Sequence, residues 1–203
     1  MRWLEQARYW MAVLFVISMP PALAWWLIIH PFVAFWRRLG KAATFTIIWS
    51  FYFGSMFGLF FLREFFLGRD LGFQPWMAGA GAVVFLLSSA IAMQRKRYLK
   101  MRILGGVPEI NPADEMNRLL KEGIYARIRH PRYVEFLVGS LGWALVLNYA
   151  GVWIMYVISV TGILLIVPLE EKELRDRFGQ EYVDYCARVP RFIPRFGKPG
   201  IVR

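Results

Sequence analysis

Residues 133–167 read YVEFLVGSLGWALVLNYAGVWIMYVISVTGILLIV. This stretch carries one charged residue, Glu135, and its apolar character breaks only at Asn148-Tyr149-Ala150-Gly151. A soluble core has no need of such runs, whereas a hydrocarbon layer about 30 Å thick asks for about 20 apolar residues per helix. A short uncharged turn between two apolar arms reads as a tight helical hairpin. The arms, 133–147 and 152–167, are short for a full crossing, a mismatch that bilayers accommodate by local thinning.

Three more apolar runs precede the hairpin, at 9–29, 42–62 and 76–93. The first holds Pro20-Pro21, which removes two backbone donors and predicts a kink. In the second, Gly54-Ser-Met-Phe-Gly58 has the GxxxG spacing that lets another helix approach closely. The third opens with the small residues Gly79, Ala80 and Gly81. Mean hydropathy is +0.41 over 203 residues, and 17 Phe and nine Trp suit helices that meet lipid and its interface. The expected fold is therefore all-α: a single polytopic membrane domain over 1–203 with about five transmembrane helices. Residues 1–93 form a three-helix scaffold and 94–203 the region that carries the chemistry.

Charge orients the chain. The net charge is +11, yet the basic residues flank the apolar runs and form no separate basic domain. That pattern excludes a nucleic-acid partner and assigns the charge to topology and lipid headgroups. The first connecting segment holds Arg37, Arg38 and Lys41; in the second, Arg63 and Arg69 are balanced by Glu64 and Asp70. Residues 94–132 hold ten basic residues against four acidic, and the hairpin turn holds none. The tail from Glu170 has eight basic residues against six acidic. Basic loops stay inside, so the N-terminus is expected outside and the C-terminus in the cytoplasm, in a plasma, inner or endoplasmic reticulum membrane. The first apolar run is too long for a cleavable signal and lacks a small-residue cleavage site after it. A lone Cys186 excludes an internal disulfide and a cysteine-only metal cluster, and the two histidines are too far apart to form a recognisable metal site.

Two segments outside the membrane show helical patterning. Asn111 as N-cap, Pro112 at the first helical position, Asp114 and Glu115 in the first turn, Lys121 in the last and Gly123 beyond predict a short loop helix. Leu174, Phe178, Tyr182, Tyr185 and Val189 recur every three or four residues and predict an amphipathic tail helix that lies on the membrane or covers a pocket.

Chemistry concentrates where the hairpin opens. Arg129-His130-Pro131-Arg132-Tyr133 leads into its first arm, and Glu170-Glu171-Lys172-Glu173 leaves its second. Closing the hairpin brings these cationic and anionic groups together at the mouth of an apolar bundle. Each also has a plain structural reading: arginines snorkelling to headgroups, a proline starting a helix, a solvated acidic face. Glu135 is either a working carboxylate or a salt-bridge partner of Arg132, since an ionisable group in an apolar span is costly unless paired or near water.

The sequence resembles the isoprenylcysteine carboxyl methyltransferase and phospholipid methyltransferase superfamily. Leu120-Lys-Glu-Gly-Ile-Tyr125 followed by Arg129-His130-Pro131-x-Tyr133 is one block. Val167-Pro-Leu-Glu170-Glu171-x-x-Leu174, Phe178-Gly179-x-Glu181-Tyr182-x-x-Tyr185 and Arg188-Val-Pro-Arg191-Phe-Ile-Pro194 form the other. The resemblance implies an integral membrane methyltransferase that uses S-adenosylmethionine from a cytosol-facing pocket of the last two spans and the tail. It implies that Tyr125, His130, Pro131, Arg132, Tyr133 and Glu170 contact the cofactor, with Leu119 and Leu120 lining it and Glu171 in support. Glu135, His130 and Arg132 are the residues expected at the reacting centre. The acceptor is expected to be a lipid or lipophilic small molecule, with a lean toward an amine headgroup such as an aminophospholipid, because Glu135 could hold an ammonium. Prenylcysteine methyltransferases have an arginine four residues before the cofactor-binding glutamate, where this chain has Ile166. Prenylcysteine carboxyl methylation and thiol methylation are the alternatives within the superfamily. A non-catalytic scaffold or small-molecule binding protein of the same fold is the alternative from another class.

Overall fold

The computed structural model describes residues 2–29, 31–97 and 119–195, and all its regular elements there are helical. Helix α1 runs Arg2–Ile29, α2 Val33–Leu39, α3 Lys41–Phe61, α4 Arg63–Leu67 and α5 Pro75–Lys96. A single 3-10 turn, Gly123–Ala126, precedes α6 (Pro131–Leu147), α7 (Ala150–Phe178) and α8 (Gln180–Arg188). Four helices are long and apolar enough to cross a membrane: Arg2–Ile29, Ala42–Phe61, Pro75–Lys96 and Ala150–Phe178. Helix α6, with 17 residues, reaches about 26 Å at 1.5 Å per residue, a little short of the hydrocarbon layer. Together with those four it makes the expected five. Only 11% of the apolar window of α3 and 6% of that of α5 is buried inside the protein, as suits helices bathed in lipid.

The hairpin is unequal. Its second arm does not stop near residue 167 but continues through Pro168 to Phe178, 29 residues in all. The helix therefore outruns the apolar layer and carries Glu170 and Glu171 on its projecting end. It ends at Gly179, whose φ of 57° lies in the left-handed region that favours glycine. That break splits the expected tail helix in two: Leu174 and Phe178 belong to α7, while Tyr182 and Tyr185 belong to α8. Leu119, Leu120 and Lys121 are not helical, so the last turn expected at Lys121 does not form. The remainder of that loop helix, from Asn111 to Glu115, lies outside the described residues. Helix α1 runs on through Pro20 and Pro21, which interrupt its hydrogen bonding without ending it.

The spans meet through glycine, but not through the expected pair. Nothing lies within 4 Å of a Cβ built on Gly54 or Gly58, so among the described residues the GxxxG of α3 brings no helix into close approach. Helices α5 and α6 approach instead at Gly81 and Gly142. A Cβ on Gly81 would stand 2.9 Å from the Gly142 carbonyl oxygen, and one on Gly142 would stand 3.2 Å from that of Gly81. Gly151 is tighter still, because its Cβ would fall 1.8 Å from the Phe66 carbonyl oxygen.

One end of the bundle is clamped by polar groups. Arg8, near the start of α1, forms an ion pair with Asp70 of the second loop and donates to the Leu147 carbonyl at 2.7 Å. Asn148, at a φ of 48°, donates to the Gly72 carbonyl, and its own carbonyl accepts from the Leu71 amide at 3.1 Å. The N-terminal end of α1, the second loop and the hairpin turn thus share one face. Trp26, near the other end of α1, packs against Tyr133 and Phe136 of α6 at the opposite face. The apolar core between these ends is built around Val13, Val16, Leu147 and Val152.

Candidate functional site

The open end of the hairpin gathers most of the residues that the sequence singled out. Pro131 at the first position of α6 fixes where that helix begins, with His130 as its N-cap. His130 is thereby held 4% exposed between the projecting carboxylates of α7. Its Nδ1 lies 3.6 Å from Glu170 Oε2, and its Nε2 lies 3.2 Å from Glu171 Oε1. Burial works against the charged imidazole, but the contacts with Glu170 and Glu171 outweigh it and raise the His130 pKa above its ordinary value.

The two glutamates do different work. Glu171 is 2% exposed and accepts from Arg129 Nη2 at 2.8 Å and from Arg191 Nε and Nη2 at 3.0 and 2.7 Å. Arg129 also donates to the carbonyls of Cys186 and Val189, tying the tail to the same point. The tail is stitched down by backbone as well: the amides of Arg129 and His130 donate to the carbonyls of Pro190 and Arg191. Glu171 is therefore the anchor of the fold at this end. Glu170, with 27% of its side chain exposed, stands at the rim of the same cluster.

The aromatic residues form a wall. Tyr133 is 4% exposed, its ring 5.7 Å from that of His130 and edge-on to Trp26. Tyr125, on the 3-10 turn, is buried, and its carbonyl accepts from the Tyr185 hydroxyl at 2.6 Å. Burial pushes the Tyr125 phenol up to about 12, so it stays protonated. Leu120 packs on the Tyr125 cluster, and Leu119 on Tyr182 and Tyr185. Tyr182 is 1% exposed, and its hydroxyl has no hydrogen-bond partner among the described residues.

Glu135 belongs to a neighbouring arrangement. Its carboxylate is held not by Arg132 but by Arg95 at the end of α5, with Nε to Oε2 at 2.5 Å and Nη2 to Oε1 at 3.1 Å. Arg132 lies with its guanidinium over the Trp26 ring, 4.8 Å from the centroid. Arg95, Trp26 and the tyrosines of α8 went unmarked as site residues in the sequence. Only the tyrosines left a signal, in the period of the tail.

An α-helical bundle with lipid-facing helices and a charged, aromatic-walled cluster at one end defines a polytopic membrane protein with a polar site at its rim. The chain belongs to the phospholipid methyltransferase family, whose model matches residues 76–181, more than half of it. It is 35% identical over 82 residues to protein-S-isoprenylcysteine O-methyltransferase B of Arabidopsis thaliana, covering 40% of this chain and 42% of that one. It is 29% identical over 127 residues to a methanethiol S-methyltransferase of Pseudomonas sp., covering 60% and 48%. Protein-S-isoprenylcysteine O-methyltransferase of Rattus norvegicus is 28% identical over 124 residues, covering 59% and 42%. The chain spans less than half the length of the curated relatives it matches. No solved structure matches it.

Proposed function

We propose that this chain is a membrane-embedded methyltransferase that draws S-adenosylmethionine from the aqueous face and methylates a lipophilic acceptor. The observation that carries the reading is His130 set between Glu170 and Glu171 beside Tyr133, at an end of the apolar bundle. The donor set fits such a cofactor. Glu170 suits ribose hydroxyls or an ammonium, Tyr125 and Tyr133 offer aromatic faces to an adenine or a sulfonium, and the buried Tyr182 hydroxyl is left to bind. His130, Pro131, Arg132, Leu119 and Leu120 complete the set by resemblance. The bound cofactor supplies an electrophilic methyl group on a sulfonium.

The protein's part is positioning and electrostatics. His130 and Glu170 orient polar groups at the rim, while Glu171 acts through Arg129 and Arg191 to hold the tail over them. The aromatic wall excludes water. Residues 119–195 supply the polar cluster, and the helices before residue 98 supply the apolar wall that an acceptor crosses from the bilayer. Relatives are named for methylating isoprenylcysteine and methanethiol, so lipophilic acids and thiols stand beside amines as acceptors. Glu135, the carboxylate that would hold an amine, is paired with Arg95.

Titration calorimetry with S-adenosylmethionine in detergent tests the reading: binding is expected, and E170A should abolish it. Absence of binding, or binding unchanged by that substitution, overturns it. Labelled methyl transfer to membrane lipid extract, farnesylcysteine and phosphatidylethanolamine then identifies the acceptor.

We also propose that the site faces the cytoplasm, as the basic excess of its loops requires. In sealed vesicles lacking Cys186, an impermeant maleimide should reach cysteines at positions 71 and 181 from opposite sides. Labelling from one side rejects this topology.

A further inference from the structure

One exposed face of α5 runs into a polar hollow. Val83, Leu86, Leu87, Ala90 and Met93 recur every three or four residues and so share that face. All but the half-buried Ala90 are exposed. Gln94 and Arg97, also exposed, continue the same face beyond the apolar residues. The rise from Val83 to Met93 is about 15 Å at 1.5 Å per residue, half of a hydrocarbon layer about 30 Å thick. The apolar stripe therefore matches one leaflet, and its polar end falls at the level of the headgroups.

At that end lies a hollow of about 320 Å³ between α5 and the 3-10 turn, lined by Gln94, Arg97, Gly123, Ile124 and Arg127. Behind it the turn is held by an apolar cluster, in which Ile91 of α5 packs with Ile124, Tyr125 and Ile128. The polar side chains of the lining are two guanidiniums and a carboxamide, and among the described residues no carboxylate joins them. Arg95 is neutralised by Glu135, whereas Arg97 and Arg127 form no ion pair among the described residues. Glu122, next to the turn, is exposed and lies outside the lining. A single arginine at the end of a span merely snorkels to the interface. Here two arginines from separate segments converge on one hollow at the end of an apolar stripe.

We propose that this hollow binds the phosphate of one anionic phospholipid, taken from the leaflet on the side of the polar cluster, with an acyl chain laid along the α5 stripe. Guanidinium forks match phosphate oxygens, and the Gln94 carboxamide adds a neutral donor. Two cations with no carboxylate between them favour a head with net negative charge. A choline head would bring its own cation to the same place and find no anion there. The stripe commits the occupant to a lipid rather than a soluble phosphate ester, because only a lipid covers the exposed leucines while its phosphate sits between the arginines. Occupancy would tie the end of α5 to the turn that carries Tyr125.

Equilibrium binding of radiolabelled dioleoyl phosphatidylglycerol and dioleoyl phosphatidylcholine to the whole protein in neutral detergent tests the proposal, with soluble glycerol phosphate as competitor. Phosphatidylglycerol should bind saturably, at about one molecule per chain, and more tightly than phosphatidylcholine by about fivefold or more. R97Q and R127Q should each weaken it by about fivefold. R38Q, which removes an exposed arginine of α2, should leave it unchanged. The comparison of the two lipids needs no variant and so survives any folding defect. Equal binding of the two lipids overturns the proposal, as does phosphatidylglycerol binding that ignores both R97Q and R127Q in folded samples. A loss with R38Q equal to that with R97Q would reduce the effect to diffuse surface charge and overturn the built site. Displacement by millimolar glycerol phosphate would make the hollow a soluble-phosphate site and overturn the lipid assignment.

Discussion

Arg129 donates to Glu171 at 2.8 Å across 42 residues of sequence, and both side chains are nearly removed from solvent, at 9% and 3% exposure. The pair fastens the entry of α6 to the exit of α7, and Arg191 adds the tail to the same carboxylate. A buried ion pair of this kind stabilises through what its loss would leave behind, namely an uncompensated charge. It explains why two adjacent glutamates with the same chemistry have different fates, one structural and one at the rim.

Removing the anchor should unfold this end. E171A leaves Arg129 buried without its anion, a change that costs about 3–5 kcal/mol where buried pairs are broken. The thermal midpoint in detergent should fall by several degrees and the tail should become protease-sensitive. E170A should lose cofactor binding with its midpoint within a degree or two of the parent. Equal destabilisation by the two substitutions would contradict the division of labour.

Glycine substitutions should separate real from apparent packing motifs. A methyl group at Gly151 meets the Phe66 carbonyl at 1.8 Å, a backbone atom that can give way only by moving α4. G151A should therefore lower the yield of folded protein sharply. G54A and G58A place a methyl in open space and replace glycine by a better helix former, worth up to about 1 kcal/mol each. Their thermal midpoints should hold or rise. A fall in either would mean that α3 packs against something beyond the described residues.

Stability should carry a histidine signature. His130 titrates higher in the folded protein than in the unfolded chain because Glu170 and Glu171 favour its charged form. Its contribution is complete below the unfolded value of about 6.5 and is lost as pH rises through the higher folded value. The thermal midpoint should decline as pH rises from the unfolded value through the higher folded one. H130Q should flatten the decline, and a parent protein with no slope there would exclude a charged His130.

The clamp at the opposite face makes a further prediction. Arg8 is 8% exposed and joins Asp70 to the Leu147 carbonyl. R8A leaves that carbonyl without its donor and should cost about 1–3 kcal/mol. Hydrogen exchange at Gly72 and Asn148 should rise, while S-adenosylmethionine affinity at the far end should hold. Loss of affinity in a folded R8A protein would mean that the two ends are coupled.

Much of this molecule was legible in its one-dimensional pattern because membranes and helices impose simple periods. Apolar runs bounded by charge mark spans, since no backbone polar group finds water in hydrocarbon. A proline after Arg129-His130 marks the start of α6, since only the first helical position tolerates it freely. The motif residues could be placed together because a hairpin has only one open end.

Partnership was a different matter. Whether Glu135 met Arg132 or Arg95 depended on which neighbour α6 packs against, and that was decided by the Gly81 and Gly142 contact with α5. The idle GxxxG of α3 teaches the same lesson, since spacing permits a close approach without supplying a partner. The break at Gly179 turned one amphipathic period into two helices and so gave Glu171 its tail arginine. The sequence by itself determined the apolar spans, the end at which charge gathers and the residue types found there. Only the tertiary structure decided which charges cancel, because a side chain's partner is chosen by helices far apart in the chain whose contact no local pattern records.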